Sequence, residues 1–172
     1  KLKAPVIIET SEGEAGLITY EAASAAVSAW QKKIKQPLIL NSDHHHDYRK
    51  IVEAIKAGYT YAHFDGSLLP VGKNIATARK VVGIARRYNV AVEGELGRIG
   101  GSSSRHREKF KASATDLTDP SAAIQFARAT GIDVLAANIG NVHGLWQGGK
   151  PRLAIKNIIL MRQMMPSLFL TL

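Results

Sequence analysis

The stretch PLILNSDHHHDYRKIVEAIKAGYTYAHFDGS, residues 37–67, decides the fold. It starts and ends with short apolar runs, 37–43 and 61–67, of the kind that forms strands buried on both faces of a parallel sheet. Between these runs Asp47 can cap a helix, and Gly58 supplies its end. The stretch therefore predicts a strand, a helix and a second strand in succession.

The same alternation extends in both directions along the chain. Four further apolar runs predict strands: PVIIET (5–10), VAVEGEL (90–96), DVLAANIG (133–140) and SLFLTL (167–172). Three further helices are predicted, and they begin at Thr19, at Asn74 and at Thr118-Asp119-Pro120. Strands and helices in repeated alternation predict a parallel α/β protein.

Polar or ionisable groups stand at the ends of the predicted strands: Thr10-Ser11-Glu12, Asp43-His44, Asp65-Gly66-Ser67, Glu95, and Asn138 followed by His143. In a (β/α)8 TIM barrel all strand ends converge on one face, whereas a doubly wound sheet binds ligands mainly at one switch point. Five such strand ends favour the barrel. A barrel takes about 250 residues, and only six of its eight strands are predicted here. We therefore expect residues 1–172 to form a single incomplete TIM-barrel domain that lacks the first strand and the C-terminal strands.

Composition narrows the classes of function. No apolar run approaches the roughly 20 residues that span a bilayer, and the N-terminus lacks the apolar segment of a signal peptide. We therefore expect a cytoplasmic protein with no membrane partner. The net charge of +9 would suit nucleic acid, but the basic residues are scattered and few aromatic residues lie among them, so no nucleic-acid partner is expected. Because the chain has no cysteine, any metal must be bound by histidine and carboxylate side chains.

Three residues from different strand ends suit a metal ion bound by nitrogen and oxygen: His44, Glu95 and His143. Each also has a simpler explanation. A histidine at a strand end is often only hydrogen-bonded, and the histidine run 44–46 could be a solvated loop. Glu93 lies on the same face of its strand as Glu95, so either carboxylate could pair with an interior cation. Spacing alone leaves these alternatives open.

Glycine-rich segments adjoin two of these candidates. Three glycines could act as hinges of a lid formed by the polar and basic segment 102–113: Gly97, Gly100 and Gly101. Gly140 and Gly144 flank His143, where exposed backbone N–H groups could hold a phosphate. The alternatives are a surface loop without a role and a tight turn beside a strand.

Six segments, in this order, resemble class II fructose-bisphosphate and tagatose-bisphosphate aldolases: APVIIETSEGEA (4–15), LILNSDHH (38–45), HFDGSLLPVGKNIA (63–76), VEGELGRIGG (92–101), LTDP (117–120) and NIGNVHG (138–144). The resemblance covers essentially the whole chain. It implies a TIM barrel that cleaves a phosphorylated ketose with the help of zinc, as a lyase of carbohydrate metabolism and glycolysis. Both fructose 1,6-bisphosphate and tagatose 1,6-bisphosphate remain candidate substrates.

The resemblance also implies roles for individual residues. Asp43 would be the catalytic acid and base, and His44 and His143 would be zinc ligands. Glu95 would be a further ligand that such enzymes engage or release. Asp65 lies where relatives have a second metal, divalent or monovalent, or a structural hydrogen-bond network.

Two other positions, Ser11 and Gly144, match residues that help to hold the substrate phosphate. Many relatives are homo-oligomers, so a dimer or tetramer is expected.

Two departures from the family pattern matter. The third zinc-binding histidine of the family, and its substrate-binding Asn and Asp, would follow the segment that ends at Leu172. Many relatives also carry a Glu pair after the two glycines of the loop, where this chain has Ser102 and Ser103. Serine cannot move the proton unaided, so His106 or Glu108 is the candidate acid or base of the loop.

Two alternatives remain at this stage. A metal-dependent barrel hydrolase would use zinc to activate water instead of polarising a ketone. A non-catalytic member of the family would bind sugar phosphate or serve as a structural subunit, and the missing Glu pair favours it over the hydrolase.

Overall fold

A computed structural model describes residues 4–107, 117–147 and 152–172. Its main sheet has six strands, and every neighbouring pair is parallel. In order across the sheet they are β1 (Val6–Thr10), β2 (Leu38–His45), β3 (Tyr61–Phe64), β4 (Ala91–Leu96), β6 (Val134–Ala137) and β8 (Phe169–Thr171). These strands lie at the six predicted positions, and the parallel α/β class is confirmed.

The strand order runs in one direction across the sheet, from β1 to β8. A doubly wound sheet would reverse direction at a switch point. The observed order is instead that of consecutive units in a (β/α)8 barrel. It therefore places the ends of all six strands along one rim.

Six helices connect or flank these strands: α1 (Glu12–Ile18), α2 (Tyr20–Gln31), α3 (Tyr48–Lys56), α4 (Val71–Arg87), α5 (Pro120–Thr130) and α6 (Ile155–Met164). Three of the predicted caps are present, because the side chains of Thr19, Asp47 and Asp119 each accept a hydrogen bond from a backbone N–H in the first turn. These bonds satisfy donors that a helix start leaves unpaired.

The predicted start of α4 at Asn74 is wrong. The helix begins at Val71, directly after Pro70, whose fixed φ suits a helix entry. Asn74 lies one turn inside the helix, where it is buried and donates from Nδ2 to the backbone oxygen of Glu95 over 2.9 Å. A residue read as a cap thus links the helix to strand β4.

The two faces of the sheet differ in chemistry. One face packs against the helices through residues such as Phe64, Val92 and Leu135, which join Ile51 and Val81 in a single apolar cluster. The alternating positions of the same strands point to the other face, because side chains alternate along a strand. That face is polar and carries Tyr61, His63, Glu93 and Glu95.

Two short strands form a second sheet that the sequence analysis did not predict. Strand β5 (Gly100–His106) pairs in parallel with β7 (Val142–Trp146). The sequence of β5, GGSSSRH, has no apolar residue, so no strand or helix period is visible in it. The backbone of the expected lid therefore begins as a strand. None of the helices within the described ranges is long and apolar enough to cross a membrane.

Gly66 follows β3 at a point where the chain has no room for a side chain. A Cβ atom there would lie 2.3 Å from Oδ1 of Asn74 and 2.8 Å from the ring of Phe64. We expect Gly66→Ala to lower the free energy of unfolding by about 1–3 kcal/mol, because the buried neighbours must move. Urea denaturation followed by circular dichroism measures this loss.

Gly83→Ala is the matched control. Gly83 lies inside α4 with nothing within 4 Å of the added atom, so alanine should stabilise the helix by about 0.5–1 kcal/mol. Equal effects of the two substitutions would contradict the close approach of Gly66 and Asn74.

Candidate metal centre

His44 occupies the end of β2 in a conformation that is rare for a residue with a side chain. Its φ is 97°, in the left-handed region, and the pairing of β2 with β3 shifts register between Ser42 and His45. Such a backbone costs about 1–3 kcal/mol and persists only where surrounding contacts impose it. Because this backbone conformation costs stability, its presence indicates that residue 44 has a role other than stabilising the fold.

The imidazole of His44 faces two buried carboxylates. Its Nε2 atom lies 2.9 Å from Oδ2 of Asp65 and 3.9 Å from Oε2 of Glu95. The other carboxylate oxygen of Asp65 accepts a hydrogen bond from the backbone N–H of Ser67 over 2.9 Å, which fixes its orientation. One ligand atom from each of His44, Asp65 and Glu95 lies within 4.8 Å of the others.

A second group overlaps the first and contains a residue that the sequence analysis missed. His63, in β3, is 5% exposed and lies between two carboxylates. Its Nδ1 atom is 3.6 Å from Oδ1 of Asp43, and its Nε2 atom is 3.5 Å from Oε2 of Glu95. Asp43, His44 and His63 also bring one ligand atom each within 4.8 Å of one another.

His143 reaches the same place from β7. Its ring centroid is 5.6 Å from that of His44, and both line the same cleft. Among the described residues the two groups with ligand atoms within 4.8 Å do not include His143. The structure therefore brings the predicted residues His44, Glu95 and His143 together, with His44 and Glu95 the closer pair.

The remaining predicted residues are placed as follows. Ser11 lines the cleft and caps α1, where its backbone N–H and Oγ both contact the Glu14 carboxylate. Gly144 lies in β7 with a φ of 82°. The backbone of His106 ends β5, and Glu108 lies outside the described residues.

The charges of the cluster depend on one another. Proximity of His63 lowers the pKa of Asp43, and the hydrogen bond to Asp65 raises the pKa of His44. Burial alone would lower the pKa of His63, but the carboxylates of Asp43 and Glu95 outweigh it and raise this pKa to about 10. Burial alone would raise the pKa of Asp65, but the contact with His44 helps to hold it well below 3.8. Without a metal ion, the contacts between imidazoles and carboxylates therefore favour the protonated form of His63 and the ionised form of Asp65.

These residues fit a divalent cation. Nε2 of His63 and Oε2 of Glu95 are buried and face each other over 3.5 Å, too far for a well-formed hydrogen bond, and neither makes another hydrogen bond among the described residues. Buried polar atoms without a well-formed hydrogen bond are costly, so this pair indicates a ligand that it is placed to meet. Imidazole nitrogens and carboxylate oxygens are ligands that zinc accepts, and binding would displace the protons that the histidines otherwise carry.

The cluster lines an open cleft of about 780 Å³ on the polar face of the sheet. Asp43, His44, His63, Glu95 and His143 line it together with Ser11. The volume lies within the range of small-molecule sites. The cleft can thus admit a small molecule to the candidate metal-binding groups.

Comparison with known proteins agrees with this geometry. The family model of class II fructose-bisphosphate aldolase matches residues 1–171, and the chain therefore belongs to this family. The crystal structure of the YdjI aldolase from Escherichia coli K12 is 28% identical with a TM-score of 0.80, over 98% of this chain and 56% of that one. A putative fructose-1,6-biphosphate aldolase from Coccidioides immitis is 26% identical with a TM-score of 0.73, over 96% of this chain and 58% of that one.

A third structure, fructose-bisphosphate aldolase (Fba) from Campylobacter jejuni, shares the fold with a TM-score of 0.68 at 21% identity, over 94% of this chain and 54% of that one. The chain thus spans little more than half the length of the aldolases it matches. The six parallel strands and their helices correspond to a part of the TIM barrel of these aldolases.

The charge balance predicts how stability depends on pH in chelator-treated protein. The raised pKa of His63 contributes stability that is complete below 6.5 and is lost as the pH rises towards 10. The lowered pKa of Asp65 contributes stability that is present above 3.8 and is lost as the pH falls below that value. The free energy of unfolding should therefore be highest between about pH 4 and 6.5 and should fall by on the order of 1 kcal/mol per pH unit from 6.5 to 9.

His63→Gln tests the assignment of that alkaline slope. It removes the titrating imidazole, so we expect a smaller decrease between pH 6.5 and 9 in urea denaturation of chelator-treated protein. An unchanged slope in the variant would assign the effect to another group.

Proposed function

We propose that the protein is a zinc-dependent class II ketose-bisphosphate aldolase that reversibly cleaves fructose 1,6-bisphosphate or tagatose 1,6-bisphosphate to dihydroxyacetone phosphate and glyceraldehyde 3-phosphate. Membership of the class II family and two aldolase structures above 25% identity support an aldolase, a lyase of carbohydrate metabolism. The observation that carries the proposal is the set formed by His44 and the buried carboxylates of Asp65 and Glu95, whose ligand atoms lie within 4.8 Å of one another.

His44, Glu95 and His143 would hold the metal ion. Zinc, when bound, is a Lewis acid that polarises the ketose carbonyl and stabilises the negative charge that develops on cleavage. Asp65 would orient His44 by accepting a hydrogen bond from its Nε2 atom over 2.9 Å, which leaves Nδ1 as the ring nitrogen for the ion. Asp65 would also bind a second cation, divalent or monovalent.

Asp43 would take the proton from the C4 hydroxyl of the ketose and return it in the reverse reaction. A base must be ionised at the working pH, and the lowered pKa of Asp43 ensures this. Asp43 also lies in the cleft beside His44, so a sugar hydroxyl near the metal ion would be within its reach.

Ser11 and Gly144 would help to hold the substrate phosphate. His106 or Glu108 would supply the proton to the triose phosphate product, in place of the Glu pair that Ser102 and Ser103 replace. The cytoplasmic location, the dimer or tetramer, the absence of nucleic-acid and membrane partners, and the single domain over residues 1–172 stay predictions.

One observation favours a second candidate. The serines at positions 102 and 103 remove the side chains that move a proton in many relatives, and this suits a non-catalytic member that binds sugar phosphate. Such a protein would bind zinc and sugar phosphate without turnover.

Asp43→Asn separates metal binding from proton transfer. We expect turnover of the bisphosphate to fall by about 10²–10⁴-fold, because amide cannot accept the proton, while one zinc ion remains bound. A coupled assay for triose phosphate measures turnover, and atomic absorption measures zinc.

Asp119→Asn is the matched control, since Asn caps a helix as well as Asp and residue 119 does not line the cleft. It should keep full activity. If the wild-type protein binds zinc but cleaves neither bisphosphate, the aldolase proposal is wrong and the non-catalytic candidate stands.

The loop is tested by Glu108→Gln and His106→Ala. We expect one of the two to lose activity by about 10²-fold or more, because it carries the proton at the reacting carbon. Full activity in both variants would show that neither residue is that acid or base.

A further inference from the structure

The strained backbone at His44 is fixed by contacts that do not themselves face the cleft. The next residue, His45, is fully buried, and its Nδ1 atom lies 2.7 Å from the backbone oxygen of Asp43. A carbonyl oxygen can only accept a hydrogen bond, so Nδ1 carries the proton and donates. This bond closes a turn around His44 and holds residue 43 and residue 45 on either side of it.

The other nitrogen of His45 meets a helix. Nε2 lies 2.8 Å from the hydroxyl of Tyr20, in the first turn of α2. With the ring proton on Nδ1, Nε2 accepts the hydroxyl proton of Tyr20. The Asp43 carbonyl thus fixes the tautomer of His45, and the tyrosine hydroxyl holds the second nitrogen of the same ring.

Tyr20 is itself held in place. Its ring packs edge-on against Tyr59 at 5.5 Å, and the Tyr59 hydroxyl bonds to Thr10 over 2.7 Å. Tyr20, Tyr59 and Thr10 are all buried, so packing holds the Tyr20 hydroxyl at its position beside His45.

The far side of the turn is held independently. One oxygen of the Glu12 carboxylate accepts from the backbone N–H groups of His46 over 2.9 Å and Asp47 over 3.2 Å, and the other oxygen pairs with Lys50 at 3.1 Å. The segment that follows His44 is thus hydrogen-bonded to α1, and His45 is hydrogen-bonded to α2.

We propose that Tyr20 and His45 are a positioning pair, which acts through the Asp43 carbonyl to keep the backbone of His44 in its strained conformation and its imidazole in place for a metal ion. This proposal rests on the metal site of the proposed function. Neither Tyr20 nor His45 lines the cleft. Both are positioning residues, since they determine where His44 and Asp43 lie.

Tyr20→Phe tests the pair with little change of shape. It removes one oxygen atom and leaves Nε2 of His45 without its donor, so that only the bond from Nδ1 to Asp43 still holds the ring. Removing such supporting contacts typically lowers metal affinity 10–100-fold, so we expect the Kd for Zn²⁺ to rise by about 10-fold or more. Competition with a chromophoric chelator measures this Kd, and Co²⁺ substitution reports the ligand geometry by its visible spectrum.

Tyr59→Phe is the matched control, because it also removes a buried hydroxyl bond from the same cluster but has no contact with His45. It should keep the wild-type affinity for Zn²⁺ and the wild-type Co²⁺ spectrum. If both substitutions weaken Zn²⁺ binding equally, the cause is a general loss of packing, and the proposal is wrong.

A double variant tests whether Tyr20 acts through His45. Asparagine at position 45 keeps a donor near the Asp43 carbonyl and removes the acceptor for Tyr20. Tyr20→Phe should therefore have no further effect on the Kd when it is added to His45→Asn. Additive losses would show that Tyr20 acts by another route.

Imidazole ¹⁵N spectra of metal-free protein read the tautomer directly. Wild-type protein should show His45 protonated at Nδ1, and the Nε2 resonance should shift in Tyr20→Phe because it loses the hydrogen bond from Tyr20. An Nε2-protonated His45 in the wild type would overturn the pair, as would an unchanged Zn²⁺ affinity in Tyr20→Phe. Failure of the wild type to bind Zn²⁺ would instead contradict the proposed function, and with it any positioning of His44 towards a metal ion.

Discussion

The burial of two carboxylates, Asp65 and Glu95, beside the imidazoles of His44 and His63 at one rim of the sheet is the constraint on which the rest of the structure depends. Asp65 and Glu95 are nearly inaccessible to water, and His63 lies between Asp43 and Glu95. Charges in such a place are tolerated only when they are paired or bound to a metal ion. The fold must therefore hold each carboxylate at a distance from the imidazoles at which their opposite charges compensate one another.

The sheet supplies that precision by dividing its two faces. One face is covered by helices and forms the apolar core, which anchors the strands. The other face presents side chains from alternate positions, so neighbouring strands bring Asp43, His63 and Glu95 to nearby positions on that face. The strain at His44 is a local cost that this core and the contacts of His45 sustain. A site of this kind is built from the ends of several strands because no single segment could hold charges so close together.

The sequence predicted what depends on local pattern. Apolar runs located the six strands, and Asp47 and Asp119 marked the starts of two helices. Both signals lie in the element itself or directly beside it, so they can be read from the local sequence. The start of α4 was wrong because Pro70 begins that helix without a capping side chain, whereas Asn74 has the chemistry of a cap but contacts β4. Strand β5 has no apolar residue pattern to reveal it.

The site was predictable to the extent that polar residues at strand ends meet in a parallel sheet. His44, Glu95 and Asp65 were found in this way, with the resemblance to class II aldolases assigning their roles. His63 was missed because it lies inside a strand between buried residues, and its only signal is an ionisable group where an apolar one is expected. The histidine run also hid a difference, since His44 faces the cleft while His45 is buried against Tyr20. Only the three-dimensional structure distinguishes adjacent residues with the same side chain.

The central claim is that His44 and its carboxylate neighbours hold a zinc ion at this rim. X-ray absorption at the zinc K edge, on protein loaded with one equivalent of Zn²⁺, tests it most directly. The account predicts a first shell of nitrogen and oxygen at about 2.0–2.2 Å, with outer-shell scattering from imidazole that decreases in His44→Ala. A spectrum of hydrated zinc without imidazole scattering, or one that His44→Ala leaves unchanged, would contradict it.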